Sequence, residues 1–158
     1  MNQKKHKNSA PRVKIIQKIY GSLMNPEEEI IYQKNQYKKF IKDVVSGTLE
    51  RKELIEETIL NNLGEDISLE KTDKLLKIIL FAAVFELLFK HNTPKNVILS
   101  EYVGASEFFL ERAQIKYLNA ILDKISKLIR PTLVIFVLVF FPIKFIKRLF
   151  FGLAVNNI

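Results

Sequence analysis

The stretch KTDKLLKIILFAAVFELLFK, residues 71–90, decides the fold of this chain. Its apolar residues recur at three- and four-residue spacing, and they leave almost no polar side on the helix that this spacing predicts. A helix of that kind is stable only when other elements surround it. We therefore expect a helix that begins at a cap on Ser68, ends near Lys90 and forms the buried centre of the fold.

Four shorter helices are predicted before this stretch. The first begins near Ser9, and a short second helix follows Asn25-Pro26-Glu27, where Asn is a suitable N-cap. The third and fourth cover about residues 35–48 and 50–63, and Gly47 marks a bend or a close approach. The side chains expected to face the core are Val13, Ile16, Tyr20 and Leu23 in the first helix, Phe40, Ile41, Val44 and Val45 in the third, and Leu54, Ile55, Ile59 and Leu63 in the fourth.

Two helices are predicted after the central one. Thr93-Pro94 supplies a cap and a first-turn proline for a helix over about residues 95–109, and the last helix covers residues 113–129 until Arg130-Pro131 ends it. The last helix should face the core with Tyr117, Leu118, Ile121, Leu122, Ile125 and Leu128. With only five Gly and five Pro in 158 residues, and no convincing strand pattern before the tail, the sequence predicts a single all-α domain.

Composition limits the chemistry available to the chain. It has no Cys, and its two histidines are His6 and His91, so we expect no disulfide, no metal site and no cofactor. Residues 1–10 lack the apolar run of a secretory signal peptide, which predicts a cytoplasmic protein. The net charge of +8 indicates a polyanionic partner, either nucleic acid or an anionic membrane surface.

The two ends of the chain differ from its middle. Residues 1–8 form a basic arm that we expect to be disordered, residues 9–131 form the helical domain, and residues 132–158 form an apolar tail that carries basic residues and no acid. A bilayer span needs about 20 apolar residues, so the uninterrupted run at 133–141 is too short, although residues 133–155 could lie on a membrane surface. Three interpretations of the tail stay open: an extra helix on the bundle, a contact with the inner membrane leaflet, or an extension that was never selected.

Three segments in the second half of the chain resemble the NusB family of transcription antitermination factors. They are FELL at 85–88, TPKNVILSEYV at 93–103 and KYLNAILDK at 116–124, which are similar to the family's YELL, xxPxxVxINEYV and KFVNGVLDK in the same order. The first half is similar through SAPR at 9–12, continuing to Ile19-Tyr20, and through FIKDVVSG at 40–47 followed by Leu49-Glu50-Arg51. The resemblance covers about residues 9–131.

This resemblance implies a compact bundle of about seven helices and a function without catalysis. Members of the family bind the boxA segment of nascent ribosomal RNA transcripts together with NusE, a ribosomal protein of the small subunit. The complex joins RNA polymerase and suppresses premature termination. The implied partners are thus boxA-type single-stranded RNA, NusE and the RNA polymerase antitermination complex.

The resemblance also implies an RNA surface made of the basic N-terminal segment and the start of the last helix. The matching residues are Lys4, Lys5, Lys7, Arg12, Lys14, Gln114, Lys116, Tyr117 and Asn119. A basic run of this kind is also common as a solvated tail. The chain departs from the family at Ala113, where an acid is usual, at Leu110, where Gly is usual, and at Tyr117, which replaces Phe. We expect Tyr117 to fill the core and Asn119 to tie helices together through its amide.

Family analogy places the protein partner near the central helix. The residues implied there are Lys74, Lys77, Phe81 and Glu86, although Phe81 could equally be core. A carboxylate in the most buried helix could also be a catalytic acid with a perturbed pKa. No second carboxylate or histidine is placed beside it by the sequence, so we interpret Glu86, like Glu101, as a helix-tying or partner-facing group.

Two other classes of function remain as alternatives. The first is a membrane-associated helical module whose basic ends bind anionic lipid. The second is enzymatic, because a similar bundle occurs as an RNA-binding part of some ribosomal RNA methyltransferases. That reading is disfavoured, since the chain lacks the length and the Gly-rich loop of a cofactor-binding domain.

Overall fold

The computed structural model describes residues 10–64 and 67–131. Within these ranges the chain forms six α-helices and no β-strand, so the prediction of an all-α fold is confirmed. No helix in them is long and apolar enough to cross a membrane. The predictions for the basic arm and for the tail lie outside the described residues. The helices are α1 Pro11–Met24, α2 Lys38–Glu50, α3 Lys52–Leu63, α4 Lys74–Phe89, α5 Lys95–Ser106 and α6 Arg112–Ile129.

Helix α4 is the centre of the bundle, as its sequence predicts. It packs against each of the other five described helices. Every residue from Ile78 to Leu87 is buried, including Glu86. Helices α1 and α2 pack against each other on one side of α4, while α5 and α6 pack against each other as well as against α4. Because α4 is apolar on nearly all sides, the other described helices pack around it.

The N-cap of α4 is Asp73 and not Ser68, which corrects the predicted start. Oδ1 of Asp73 accepts hydrogen bonds from the backbone amides of Leu75 and Leu76 at 3.0 and 3.1 Å. Residues 69–71 form a turn and Thr72 a bend, and the Thr72 hydroxyl donates to the Ser68 carbonyl at 2.7 Å. The carboxylate is the better cap, because its charge also interacts favourably with the helix dipole.

The short helix predicted after Asn25-Pro26-Glu27 does not form. Residues 25–37 form turns and bends near both ends and have no regular secondary structure between them. Ile30 and Tyr32 pack on the core while Ile31, between them, is 76% exposed. This alternation of inward and outward side chains belongs to extended chain rather than to a helix, whose inward residues recur every three or four positions.

Five side chains predicted to face the core are instead substantially exposed. The side chains that do face the core include Ile19 in α1, Ile55 in α3 and Leu118 in α6. Each of these three is next in the sequence to one of the exposed residues. One position on a helix is a rotation of about 100°, which moves a side chain from the core to the edge of the apolar stripe. The five are Tyr20, Leu23, Leu54, Tyr117 and Leu128.

Candidate RNA-binding surface

Arg12 lies in the first turn of α1 with its side chain inside the bundle. The residue is only 8% exposed. Its Nη2 donates to Oε2 of Glu86 at 2.8 Å, and its Nη1 lies 3.5 Å from Oε2 of Glu101. The predicted RNA contact of Arg12 is thereby corrected, because a carboxylate buried in α4 already neutralises the guanidinium.

Glu86 ties three helices together through these contacts. It has no exposed surface, and its Oε1 accepts a hydrogen bond from the Tyr102 hydroxyl at 2.8 Å. Burial raises the pKa of the Glu86 carboxyl, while Arg12 and the Tyr102 hydroxyl oppose that rise. The predicted contact of Glu86 with a partner protein is corrected, since a fully buried side chain holds α1, α4 and α5 in place and reaches no partner.

The first turns of α6 carry the predicted RNA residues that solvent can reach. Lys116, Tyr117 and Asn119 are exposed, and the Tyr117 side chain is 40% exposed. The expectation that Tyr117 fills the core is therefore wrong, and so is the expectation that Asn119 ties helices inside an apolar stripe. Both lie on the outer face of α6, beside the buried line that runs through Leu118 and Ile121.

Gln114 is held in place by a capping box at the start of α6. The backbone amide of Glu111 donates to Oε1 of Gln114 at 3.0 Å, and the Glu111 side chain bonds in return to the Gln114 backbone. The amide NH₂ of Gln114 takes no part in this reciprocal pair. Glu at the N-cap departs from the usual capping-box signature S/T-x-x-E/Q, so the sequence carried only its second half, Gln114.

A shallow cleft of about 400 Å³ joins α6 to the segment before α4. Gln114 and Tyr117 line it together with Ser68, Lys71, Thr72, Asp73 and Leu76. Arg12, by contrast, contacts α4 at Glu86. Glu86 is ten residues after Leu76, which is about 15 Å along the helix at 1.5 Å per residue. The start of α1 and the start of α6 therefore lie near opposite ends of α4, and a ligand in contact with both must be extended.

Lys14 lines a different cleft, of about 380 Å³, between α1 and residues 25–38. Lys18 and Lys38 line it too, as do Glu28 and Glu29. The Lys18 ammonium donates to the Ile31 carbonyl and lies 5.1 Å from the centre of the Tyr32 ring. This face is thus basic but partly neutralised. Of the other predicted RNA residues, Lys4, Lys5 and Lys7 lie outside the described residues.

Three of the four predicted partner residues line one groove of about 390 Å³. They are Lys74, Lys77 and Phe81, and Leu23 and Leu49 stand across from them on α1 and α2. Phe81 is 5% exposed, and the Lys77 ammonium lies 5.6 Å from the centre of its ring and 3.7 Å from Oε1 of Glu56. The groove has an apolar floor and a basic rim.

Arg130 is a structural residue that the sequence analysis missed. Its guanidinium donates to the carbonyls of Glu86, Leu87 and Thr93 at 2.9, 2.7 and 2.7 Å. A cation here satisfies the last carbonyls of α4 and opposes the negative end of its helix dipole. Burial lowers the pKa of Arg130, which Glu86 partly offsets. The sequence showed only that Arg130-Pro131 ends a helix.

In the two described ranges no cluster of three or more His, Cys, Asp or Glu could hold a metal ion.

Comparison with known proteins bears on both the fold and the function. T. maritima NusB, a solved structure, superposes with a TM-score of 0.65 at 22% identity, over 74% of this chain and 88% of that one. At this level of identity the likeness shows the fold. It confirms a NusB-like arrangement of helices.

Sequence relatives give the family directly. A protein from Sphingopyxis alaskensis named transcription antitermination protein NusB is 27% identical over 147 residues, which cover 82% of this chain and 99% of the relative. Proteins of the same name from Mesorhizobium japonicum and Sinorhizobium fredii are 34% and 35% identical over 58% of this chain and 59% and 57% of their own lengths. The sequence profile of the NusB family matches residues 5–127, and the chain therefore belongs to the NusB family.

Proposed function

We propose that this protein is a transcription antitermination factor that binds boxA-type single-stranded RNA together with the ribosomal protein NusE. It acts in the cytoplasm, where it joins the RNA polymerase antitermination complex during transcription of ribosomal RNA. The observation that carries the proposal is the family match over residues 5–127, together with relatives that are themselves named transcription antitermination proteins. Membership of the family also means that the protein is an RNA-binding factor and not an enzyme.

The exposed groups on α6 support the RNA part of the proposal. Lys116 supplies a cation, Tyr117 an aromatic face and Asn119 an amide, all on the solvent side of the helix. Single-stranded RNA is bound by such combinations, because lysines neutralise phosphates while aromatic rings stack on unpaired bases. Lys14, and the basic residues Lys4, Lys5 and Lys7 that precede α1 in the sequence, would add phosphate contacts.

The groove between α1, α2 and α4 supports the protein part of the proposal. Its rim carries Lys74 and Lys77, and its floor includes the ring of Phe81. Leu23 and Met24, at the end of α1 beside this groove, are 38% and 39% exposed, and the Lys74 ammonium lies 3.7 Å from the Met24 sulfur. An apolar patch within a polar rim is the usual anatomy of a protein interface.

Fluorescence anisotropy with labelled RNA tests the two parts together. The full chain is titrated against boxA-type RNA and a scrambled RNA of equal length, each with and without NusE. We expect preferential binding of boxA-type RNA and tighter binding when NusE is present. If the chain binds neither RNA and NusE changes nothing, the family membership reflects the fold alone and the proposed function fails.

Charge-reversal variants then separate the two surfaces. Lys116→Glu should weaken RNA binding with NusE affinity unchanged, whereas Lys74→Glu with Lys77→Glu should weaken NusE binding alone. Lys42→Glu, on an exposed position of α2, is the matched control for non-specific loss of positive charge. If all three variants lost RNA affinity and NusE affinity to the same extent, binding would depend only on the net charge of the protein, and neither surface would be specific.

A further inference from the structure

An aromatic cleft of about 260 Å³ lies between α2 and the C-terminal end of α4. Its apolar wall is formed by the rings of Phe85 and Phe89, whose centres are 5.0 Å apart. Phe85 packs against Gly47 of α2 and is only 3% exposed, whereas Phe89 is 40% exposed. The cleft therefore presents an aromatic ring that the described helices leave partly uncovered.

The charged side chains of the cleft neutralise one another. Lys90 forms an ion pair with Asp43, and Nη1 of Arg51 lies 3.5 Å from Oε2 of Glu50. The Arg51 guanidinium also lies 5.2 Å from the centre of the Phe89 ring. The described lining thus carries two cations and two acids, so the cleft suits an apolar occupant better than a polyanion such as RNA.

Two more apolar side chains are exposed at the same end of the bundle. Val97, in the first turn of α5, is 44% exposed, and Leu128, in the last turn of α6, is 50% exposed. Arg130 joins both helices to the end of α4, because its carbonyl accepts from the Lys95 ammonium and its guanidinium donates to the Leu87 carbonyl. This end of the bundle therefore presents apolar surface on three helices, α4, α5 and α6.

The apolar tail begins at this end of the bundle. Phe89 is two residues after Leu87, whose carbonyl Arg130 contacts, so the backbone of Phe89 lies within about 7 Å of that contact. The ten residues after Pro131 span at most about 35 Å when extended, or about 15 Å at the rise of a helix. Either length is enough for the apolar run at 133–141 to reach Phe89.

The run itself needs a partner surface. Its sequence, LVIFVLVFF at 133–141, contains no polar residue, and an exposed apolar surface of this size promotes association and aggregation. Since residue 132 alone separates the run from Pro131, a site at this end of the same chain is presented to the run at a high effective concentration.

We propose that the apolar run at residues 133–141 docks on the end of the bundle where α4 ends, and that it covers Phe89 and the aromatic cleft beside it. The inference does not depend on the proposed RNA-binding function. Because the family profile ends at residue 127, this contact is an addition of this chain to the family fold.

Tryptophan fluorescence tests the contact, because the chain has no Trp of its own. Phe136→Trp, in the middle of the run, places one indole in the full chain. At a concentration where light scattering shows a monomer, we expect this indole to be protected from acrylamide quenching relative to the same chain unfolded in urea. Adding Phe89→Asp should abolish the protection, since docking would then bury a carboxylate without a partner.

Tyr37→Asp is the matched control for Phe89→Asp. Tyr37 is also an exposed aromatic residue, at 44%, and it precedes α2. It is ten residues before Gly47, or about 15 Å along the helix from the cleft. The control should leave the quenching of the indole unchanged, and circular dichroism checks that both variants keep their helices.

Disulfide trapping provides a second measurement that keeps Phe89 intact. The chain has no Cys, so Glu50→Cys at the cleft can be paired with a Cys placed in turn at each of residues 134–140. We expect at least one pair to form an intramolecular disulfide in higher yield than the same tail position forms with Lys38→Cys. Lys38 is exposed at the other end of α2, about 18 Å from Glu50 along the helix.

The other results overturn the proposal. One is an indole as accessible in the folded chain as in urea, and another is protection that survives Phe89→Asp in a folded variant. Equal disulfide yields for Glu50→Cys and Lys38→Cys also count against it. Protection that disappears on dilution, or disulfides between chains, would assign the run to a second copy, and protection that requires anionic vesicles would assign it to a membrane.

Discussion

At the scale of single residues, the buried cluster around Arg12 governs the stability of the bundle. The guanidinium contacts Glu86 and lies 5.5 Å from the ring centres of both Phe40 and Tyr102. Charges buried in this way are tolerated only as a matched set, because each isolated charge would carry a large desolvation cost. The cluster therefore fixes how the start of α1 meets α4 and α5, because the loss of either charge would leave the other buried without its partner.

Removal of one partner should be costly. We expect Arg12→Met to lower the free energy of unfolding by about 3–5 kcal/mol, because it leaves the carboxylate of Glu86 buried without its cation. Urea denaturation followed by circular dichroism measures this change. Lys14→Met, half-buried two positions along the same helix, is the control and should cost less than about 1 kcal/mol. An unchanged stability for Arg12→Met would show that the buried pair does not hold α1 in place.

Tyr102 should make stability depend on pH in alkaline solution. Burial and the nearby Glu86 raise the pKa of Tyr102 well above 10.0, so the folded state retains a proton that the unfolded state loses. Where the folded state binds more protons, the free energy of unfolding falls as pH rises, here as pH increases above 10.0. The contribution is fully present below that pH.

Tyr102→Phe removes this titration. The variant should lose about 1–3 kcal/mol at neutral pH, because an oxygen of Glu86 is left without its donor, but its stability should then fall less steeply than that of the wild type above about pH 10. Denaturation series across this range measure the two slopes. Parallel curves for the wild type and Tyr102→Phe would contradict the argument.

Residue roles were the least predictable part of the sequence. Arg12 and Glu86 carry charges that indicate a surface, yet the two charges neutralise each other inside the bundle. Tyr117 is an aromatic residue that indicates core, yet it is 40% exposed. The surroundings of Arg12 and Glu86 depend on helices distant in sequence, which no local pattern encodes, whereas the exposure of Tyr117 follows from the three- and four-residue spacing that buries its neighbour Leu118.

At the scale of elements, the helices follow local patterns much more closely. The long apolar stretch at residues 71–90 predicted α4. The three- and four-residue spacing of apolar residues in α6 predicted the side chains that it buries, Leu118, Ile121, Leu122 and Ile125. The prediction of helices failed where a helix-start motif was not followed by an apolar pattern of helical spacing. Asn25-Pro26-Glu27 is a good start for a helix, but the residues after it offer no helical stripe, and no helix forms there.

Two glycines on helices should respond to alanine in opposite directions. A Cβ on Gly47 in α2 would lie 2.2 Å from a ring carbon of Phe85, whereas a Cβ on Gly21 in α1 meets nothing within 4 Å. The close approach predicted at Gly47 is therefore confirmed. It lets α2 lie directly against the central helix, where a larger residue would hold the two apart.

We expect Gly47→Ala to destabilise the protein by about 1–3 kcal/mol through overpacking. Gly21→Ala should stabilise it by up to about 1 kcal/mol, because alanine is the better helix former and the site has space for it. Thermal denaturation of both variants gives the comparison, with a lower Tm for Gly47→Ala and a higher Tm for Gly21→Ala. A rise in Tm for both would mean that the ring of Phe85 moves aside at little cost.

At the scale of the whole molecule, Arg130 closes the domain. Its guanidinium joins the end of α6 to the end of α4, and the Lys95 ammonium donates to the Arg130 carbonyl at 3.2 Å. The family match ends at residue 127, close to this point. The order of the family motifs predicts a domain over residues 9–131, and this boundary stays a prediction that truncation of the chain can test.

We expect the chain cut after residue 131 to retain boxA-type RNA binding within about twofold of the full chain, because every predicted RNA residue precedes residue 132 and the cut removes three of the 25 cations of the chain. Anisotropy titrations of the two chains test this.

Denaturation of both chains, and sedimentation with anionic and neutral vesicles, then separate the interpretations of the tail. Lower stability of the shorter chain would indicate a tail packed on the bundle, while loss of sedimentation with anionic vesicles would indicate a membrane contact. No difference in either measurement would identify the tail as an extension without a function of its own, and a large loss of RNA binding would contradict the domain boundary itself.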